Sequence, residues 1–501
     1  MSATGTGTRR PFVPDGPYGL VIGGEELPTP GSFSALEPSS GQAWAEIAQA
    51  SIGDVDRAIA TAGTAFRSWR RSSPATRQEA LLALAASIEQ DAERWPALLA
   101  TENGRPIREA SFGDVPTAAG IFRFFAGIVR GHRGATIPVE DPDALVYTLR
   151  EPLGVIAALI PWNSPLITLA NKVAPALASG NTIVLKPSEF ASASVVEFAR
   201  AAASVLPPGV LNVVTGLGPD VGAALVGHAG IAKISFTGGP ETASRILEAA
   251  ARHRTPSLLE LGGKSAFVVC ADADLELVVQ DALTGICLAN GEACIAASRL
   301  LAHEDVHDEL VERFAAALRR VRVGDALDPQ TEVGPLVSQP HLARVRGHIE
   351  TARAEGYAVL AGGDDPALPG ELAGGYFLRP TLLGDPDGGS TSARTEIFGP
   401  VVTVERWRDE ADVVARANAT EYGLAAGVWT RDLARAHRIA RELEAGIVWV
   451  NKWFDLYFGQ PMGGVKQSGF GRELCVETLD EYSAIKAVNV GLSSERPPLW
   501  S

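Results

Sequence analysis

The stretch Val155-Ile156-Ala157-Ala158-Leu159-Ile160-Pro161-Trp162-Asn163-Ser164-Pro165 decides how this chain folds. Six consecutive apolar residues closed by a proline read as a strand buried on both faces. The apolar segment from 165 to about 177 reads as a buried helix. No charge occurs between Pro152 and Asn171, twenty residues, a length that could span a bilayer. Pro161, Asn163, Ser164 and Pro165 would then leave polar groups unsatisfied in lipid, so no membrane span is expected. Outward from this point the pattern repeats. Apolar runs at 182–185, 211–214, 233–236 and 266–269 alternate with alanine-rich helices. A second series at 299–302, 401–404, 426–429 and 447–450 does the same. Such alternation predicts parallel sheets covered on both faces, in two α/β units meeting near 260–265. Helical periodicity precedes them over 54–101. At the other end, 485–490 alternates like a strand that must find a partner after the second core has closed, a natural contact between subunits.

The chain has 501 residues, 46% hydrophobic and 21% charged, with four cysteines. It is long enough for two or three domains, and too apolar for disorder. Four cysteines in this length make no disulfide scaffold. With 59 acidic against 44 basic residues the net charge is −15, which excludes nucleic acid as the main partner. Thr8-Arg9-Arg10-Pro11-Phe12 looks like a twin-arginine signal, but no apolar stretch follows it. Residues 1–17 therefore read as a loose polar tail, and the expected location is cytoplasmic. Only seven lysines occur, at 172, 186, 233, 264, 452, 466 and 486, so each invites a reason.

Several local patterns carry chemistry. Gly216-Leu217-Gly218 with Gly222 lies between a strand and a helix, but its spacing is not a dinucleotide fingerprint and suits turn glycines. Phe236-Thr237-Gly238-Gly239 leads a strand into a helix and offers bare backbone amides to a pyrophosphate. Lys186-Pro187-Ser188-Glu189 ends a strand at the edge where nucleotides bind. There a lysine and a glutamate suit vicinal ribose hydroxyls, or simply form a surface ion pair. Cys294 sits at a glycine-loosened break, Gly291 to Arg299, followed by small residues. Cys270 and Cys287 read as core, and Cys475 has no base nearby in sequence.

Taken in order, Pro161-Trp162-Asn163, Lys186-Pro187-Ser188-Glu189, Phe236-Thr237-Gly238, Glu260-Leu261-Gly262-Gly263-Lys264, Gly291 to Arg299, Glu396-Ile397-Phe398-Gly399-Pro400 and Pro461 to Glu473 resemble the motifs of the aldehyde dehydrogenase superfamily. The likeness covers residues 20–495. It implies a Rossmann-like parallel-sheet cofactor domain (1–133 and 153–262), a second α/β catalytic domain (263–467) and a small β oligomerisation arm (134–152 and 478–501). It implies Cys294 as nucleophile, Glu260 as general base and Asn163 as oxyanion donor, with Lys172 further along the Asn163 helix in support. The cofactor implied is NAD rather than NADP. Its expected surroundings are Ile160, Pro161, Trp162, Lys186, Ser188, Glu189, Gly218, Gly222, Phe236, Thr237, Gly238, Gly239, Leu261, Glu396 and Phe398. Self-association as a dimer or tetramer is implied as well, and no metal.

The chemistry agrees with these roles. Hydride leaves an aldehyde carbon once that carbon is tetrahedral and its oxygen anionic, which thiolate addition achieves. The remaining thioester needs an activated water. Departures from the family pattern are informative. Glu292 replaces the usual glutamine and is expected to point at solvent, because a carboxylate beside Cys294 would disfavour its thiolate. Glutamate here also occurs in the coenzyme A-acylating branch, which generally lacks an acid like Glu260. Gly239 replaces a frequent serine, leaving only backbone to contact a diphosphate. In the substrate channel Ser164, Thr168 and Asn171 stand where bulky apolar groups serve small aliphatic aldehydes. Met462 stands where phenylalanine is usual. Ala293 and Ile295 flank the thiol, and Trp453, Phe454, Leu456, Tyr457, Phe458, Phe124 and Phe125 supply an aromatic side. The expected reaction is NAD-dependent oxidation of a medium or large aldehyde, aromatic or cationic, to the acid through a thiohemiacetal and thioester. The alternative is a coenzyme A-acylating semialdehyde dehydrogenase.

Overall fold

Val155–Ile160 forms a strand with every side chain buried, as an unbroken apolar run requires. The computed structural model describes residues 9–385, 387–494 and 500. The start of the expected tail and the end of the expected arm lie outside the described residues. Around Val155–Ile160 is an 8-stranded sheet. Ser257–Glu260, Ile231–Thr237, Val155–Ile160, Thr182–Pro187 and Leu211–Val213 run parallel in that spatial order. Gly469–Phe470 closes one edge antiparallel, and Leu20–Ile22 with Glu25–Leu27 closes the other. Helices cover both faces. Ile52–Trp69 starts on a Ser51–Asp54 capping box, and Pro165–Ala178 starts with Pro165 in its first turn.

Between Glu260 and Ala266 the chain crosses into a 7-stranded sheet. Its order is Ala358–Ala361, Thr381–Gly384, Val401–Trp407, Arg299–His303, Ala266–Val269, Ala425–Trp429 and Ile447–Val450. All neighbours are parallel except the first pair. Helices on both faces and parallel strands make an α/β fold, as the alternating pattern predicts. The apolar stretch Ile107–Gly131 is long enough to cross a membrane, yet Ala118, Ile121, Phe122 and Phe125 are fully buried core.

Two expectations need correction. From Arg9 onward the N-terminal segment is tied down. Arg9 Nε donates to Asp325 at 2.8 Å, and its guanidinium also bonds Glu37. Phe12 N–H donates to Thr101 Oγ1 at 2.9 Å, and its ring meets Trp44 edge-on. Two carboxylates and an aromatic partner fix what its polar composition suggested was loose. The terminal strand also finds its partner within its own chain. Ser483–Gly491 pairs antiparallel with Ala144–Pro152, from Ser483↔Pro152 to Gly491↔Ala144, and Thr136–Ile137 lies on the far side.

Candidate active site

Parallel strands deliver their carboxyl ends to one edge of a sheet. In the first sheet four adjacent strands end at Ile160, Pro187, Thr237 and Glu260, so the residues just after them share that edge. A cleft of about 840 Å³ opens there. Its walls include Pro161, Trp162, Asn163, Thr237, Gly238, Gly239, Glu260, Leu261, Cys294, Glu396 and Phe398 from the expected set. Ser164, Thr168, Asn171, Ala293, Ile295, Leu456 and Met462 line it too. Residues spread over some three hundred positions thus meet because of topology rather than sequence proximity.

Cys294 is presented by a strained loop. Ala289, Asn290 and Gly291 are all left-handed, with φ of 55°, 58° and 73°. Asn290 holds this shape, its Nδ2 donating to the carbonyls of Gly104 and Pro335 while its Oδ1 accepts from Gly334 N–H. A Cβ on Gly291 would lie 2.4 Å from Gly399 and Pro400, so only glycine fits. Consecutive residues in a sparsely populated region persist only where their surroundings over-determine them. Burial, with the charges of Glu260 and Glu396, pushes the Cys294 thiol up to about 12, while the backbone N–H groups of Cys294 and Ile295 pull it down. Asn163 reaches the same loop, its Nδ2 donating to the Glu292 carbonyl at 2.8 Å. That bond uses one of two amide hydrogens and leaves the second for the cleft.

Glu260 is 3% exposed, and neither carboxylate oxygen has a hydrogen-bond partner in the structure. Burial first, then the charge of Glu473, raises its pKa well above the carboxylate range, and Lys172 and Arg472 oppose this. A partnerless buried carboxyl at a cleft wall is a proton acceptor in waiting. Gly463 approaches it so closely that a Cβ would lie 2.7 Å from Oε1. Lys172 is fully buried and outside the cleft wall. Its Nζ bonds Glu473 at 3.0 Å and Ser235 Oγ at 3.2 Å. It therefore sits behind the site, one partner removed from Glu260.

Glu292 does not point at solvent, contrary to expectation. It is 2% exposed, accepts from Val337 N–H at 2.9 Å, and lies 3.5 Å from His341 Nε2. The buried Arg105 guanidinium nearby favours its charge, while burial raises its pKa well above the usual range. An acid here is tolerated because backbone and arginine replace the water it lost.

The cofactor-side residues form two groups. The helix Pro240–Ala251 begins at Gly239 with no side-chain cap, and a Cβ there would meet nothing within 4 Å. Its first N–H groups therefore face open cleft, and Thr237 Oγ1 is a buried hydroxyl without a partner. These features fit a diphosphate. Glu396 accepts from Gly263 N–H at 3.0 Å, and Phe398 stands edge-on to Trp162. The second group lies off the cleft wall. Lys186, 4% exposed, has its Nζ 3.8 Å from Glu189, and Gly222 packs over its stem. Ser188 and Ile160 adjoin these through the Ser188 N–H to Ile160 carbonyl bond. Phe236 is buried under Gly238, and Gly218 opens on free space.

In the substrate channel, Trp453 needs correcting. It is 4% exposed, stacked on Trp429 with Phe267 and Trp449 tilted against it, and its indole donates to the Ile295 carbonyl at 3.0 Å. It is core that braces the thiol's neighbour. Phe124 lies behind the wall, stacked on Phe458, which does line it, and Phe125 is fully buried. Sequence reasoning missed Glu473, His341, Arg344, Phe112 and Ile167 on the wall. Glu473 was within reach, because a scarce lysine at 172 asks for an acidic partner.

The family model for the aldehyde dehydrogenase family matches residues 28–488. The aldehyde dehydrogenase citD of Monascus ruber is 41% identical over 471 residues, 93% of each chain. PnpE of Pseudomonas sp. WBC-3, solved with nicotinamide adenine dinucleotide, superposes with a TM-score of 0.94 at 40% identity, over 96% of this chain and 99% of that one. The NAD+ complex of an aldehyde dehydrogenase from Bacillus cereus gives 0.93 at 37% identity, over 95% and 97%. Matched by the family model over residues 28–488 and 41% identical to a relative over 93% of its length, the chain belongs to the aldehyde dehydrogenase family.

Proposed function

We propose that the protein oxidises an aldehyde to its carboxylic acid with water as acyl acceptor and NAD as cofactor. One observation carries this: Cys294, Asn163 and the partnerless Glu260 share a cleft with the uncapped N-terminus of Pro240–Ala251. The Cys294 thiolate adds to the carbonyl carbon, and the resulting oxyanion meets the free Asn163 amide hydrogen and the Cys294 N–H. The Gly239 helix end, Glu396 and Phe398 would hold NAD, which when bound would accept the hydride leaving that tetrahedral carbon. A thioester remains on Cys294. Glu260 takes a proton from water, the water oxygen attacks the acyl carbon, and the thiolate leaves. The aromatic and polar walls suit a medium or large aldehyde, aromatic or cationic.

The coenzyme A-acylating reading draws on Glu292, but the buried Glu260 has no other evident employment than water. The experiment is turnover of an aldehyde panel with NAD or NADP, with and without coenzyme A. Acid should form without coenzyme A, and kcat/KM should be higher with NAD. Glu189 beside Lys186 accepts ribose hydroxyls but repels a 2′-phosphate. Acyl-coenzyme A as the obligatory product, or equal cofactor preference, would contradict the respective half.

We also infer a homo-oligomer. Among the described residues the outer edge of Ser483–Gly491 is unpaired, and Ile485, Leu145 and Leu149 are exposed on that small sheet, at 63%, 40% and 42%. Unpaired edges with apolar faces are normally covered. Light scattering should give a multiple of the 52.5 kDa chain, and deletion from residue 483 should lower it. A single-chain mass for the intact protein refutes the reading.

A further inference from the structure

We infer that the aldehyde this site is built for carries hydroxyl groups along one edge of an apolar, planar body, read by Ser164, Thr168 and Asn171. The inference rests on the aldehyde oxidation proposed above and narrows its substrate. The three residues are spaced four and three apart at the start of, and along, Pro165–Ala178, which places them on one face. All three line the cleft. The ladder runs for about 10 Å along the helix axis, beginning next to Asn163.

Among the described residues no hydrogen bond engages any of these three side chains. The contrast with similar residues elsewhere is informative. Thr64 and Thr284, also within helices, return their hydroxyls to the carbonyls four residues earlier, at 3.1 and 3.0 Å. The Thr168 hydroxyl does not. Asn171 is 5% exposed, and its Oδ1 is fully buried without a partner. The buried amides of Asn181 and Asn212 are bonded at both ends. A buried amide left unpaired costs stability, so a protein that keeps one facing a binding cleft gains from pairing it with a ligand.

The rest of the channel defines what lies beside those polar groups. Ile121, Phe454, Leu456, Phe458 and Met462 form apolar and aromatic wall, suited to a flat apolar face. Arg105 is bonded to Asp114 at 2.7 Å and Lys172 to Glu473, and Arg344 donates to the Ile397 carbonyl, while Arg105 Nη1 has no partner among the described residues. A hydroxyl accepts from the Asn171 NH2 and exchanges hydrogen bonds with the Thr168 hydroxyl, with no charge to desolvate.

The test compares matched pairs, 4-hydroxybenzaldehyde with 4-methylbenzaldehyde and 4-hydroxycinnamaldehyde with 4-methylcinnamaldehyde. For each pair the hydroxyl-to-methyl ratio of kcat/KM is measured in the wild type and in Asn171→Leu and Thr168→Val. Dividing one enzyme's ratio by another's cancels the intrinsic reactivity of the aldehydes. We expect Asn171→Leu to lower the ratio by about tenfold and Thr168→Val by a few-fold for at least one pair. The near-isosteric Thr168→Val keeps the question answerable if Asn171→Leu folds poorly. The same ratios are read as Kd values on Cys294→Ala, alone and combined with each substitution, where no turnover intervenes. Ratios unchanged within about twofold in both kinds of measurement, with aldehydes still oxidised, overturn the inference and leave the oxidation standing. Ratios that fall in binding while the wild type oxidises no aldehyde leave the hydroxyl-reading channel standing and overturn the oxidation.

Discussion

Cys294→Ala is expected to abolish NADH formation from aldehydes, a loss of roughly 10⁴-fold or more, at every pH tested. Without the sulfur no tetrahedral adduct forms, and an aldehyde carbon that is still planar does not release hydride. The wild-type thiol should itself show its environment. Burial and the charges of Glu260 and Glu396 push it up to about 12, so at neutral pH it is held as the thiol. For a raised acid pKa the reactive, deprotonated form grows as pH rises toward that value. Alkylation of Cys294 by iodoacetamide should therefore accelerate by up to about tenfold per pH unit between neutral and alkaline conditions. Saturating NAD should change that slope if cofactor binding alters the charge around Glu396. Mass spectrometry of the alkylated peptide assigns the label, and NADH absorbance reports turnover. Substantial activity in Cys294→Ala would remove the nucleophile assignment.

Much of this site was legible because its motifs sit at strand ends. An apolar run closed by Pro161, Pro187 or Thr237-Gly238 states both where a strand stops and which residues stand at the sheet edge. The order of the strands then places them side by side, although sequence does not print that order. The failures have a common physical cause. Glu292 is expected to point at solvent because a carboxylate beside Cys294 would disfavour its thiolate, but Val337 N–H and Arg105, remote in sequence, hold it buried. Trp453 was expected at the channel because aromatic clusters line channels, yet Phe267, Trp429 and Trp449 enclose it. Arg9 and Phe12 were read as tail because their partners, Asp325, Glu37 and Trp44, lie far along the chain. Partners decide burial, and long-range partners are what a single sequence withholds.

Glu260→Ala should separate the two halves of the reaction. The Cys294 thiol can still add to aldehyde, so rapid mixing with NAD should show NADH up to one equivalent per active site. The thioester should then persist, because the step that cleaves it loses its base, a slowing of roughly 10²–10⁴-fold. An acyl adduct on Cys294 should be detectable by mass spectrometry after the burst. In the wild type, Glu260 has its pKa raised well above the carboxylate range, first by burial and then by Glu473. The base form therefore increases as pH rises, and the steady-state rate should climb across that raised pKa and then level. Glu260→Ala should lose this limb of the profile while retaining any pH dependence of the burst that belongs to Cys294. If Glu260 also draws the proton from Cys294, the burst itself slows in the variant and recovers at high pH. Wild-type turnover in Glu260→Ala would move the base elsewhere. The structure makes Glu473 the first carboxylate to examine, since it lines the cleft and is the acid whose charge Glu260 feels most. Its carboxylate accepts from Lys172 Nζ at 3.0 Å. Glu473→Gln in the Glu260→Ala background should therefore leave the residual turnover unchanged if Glu260 is the base, and extinguish it if Glu473 has taken over.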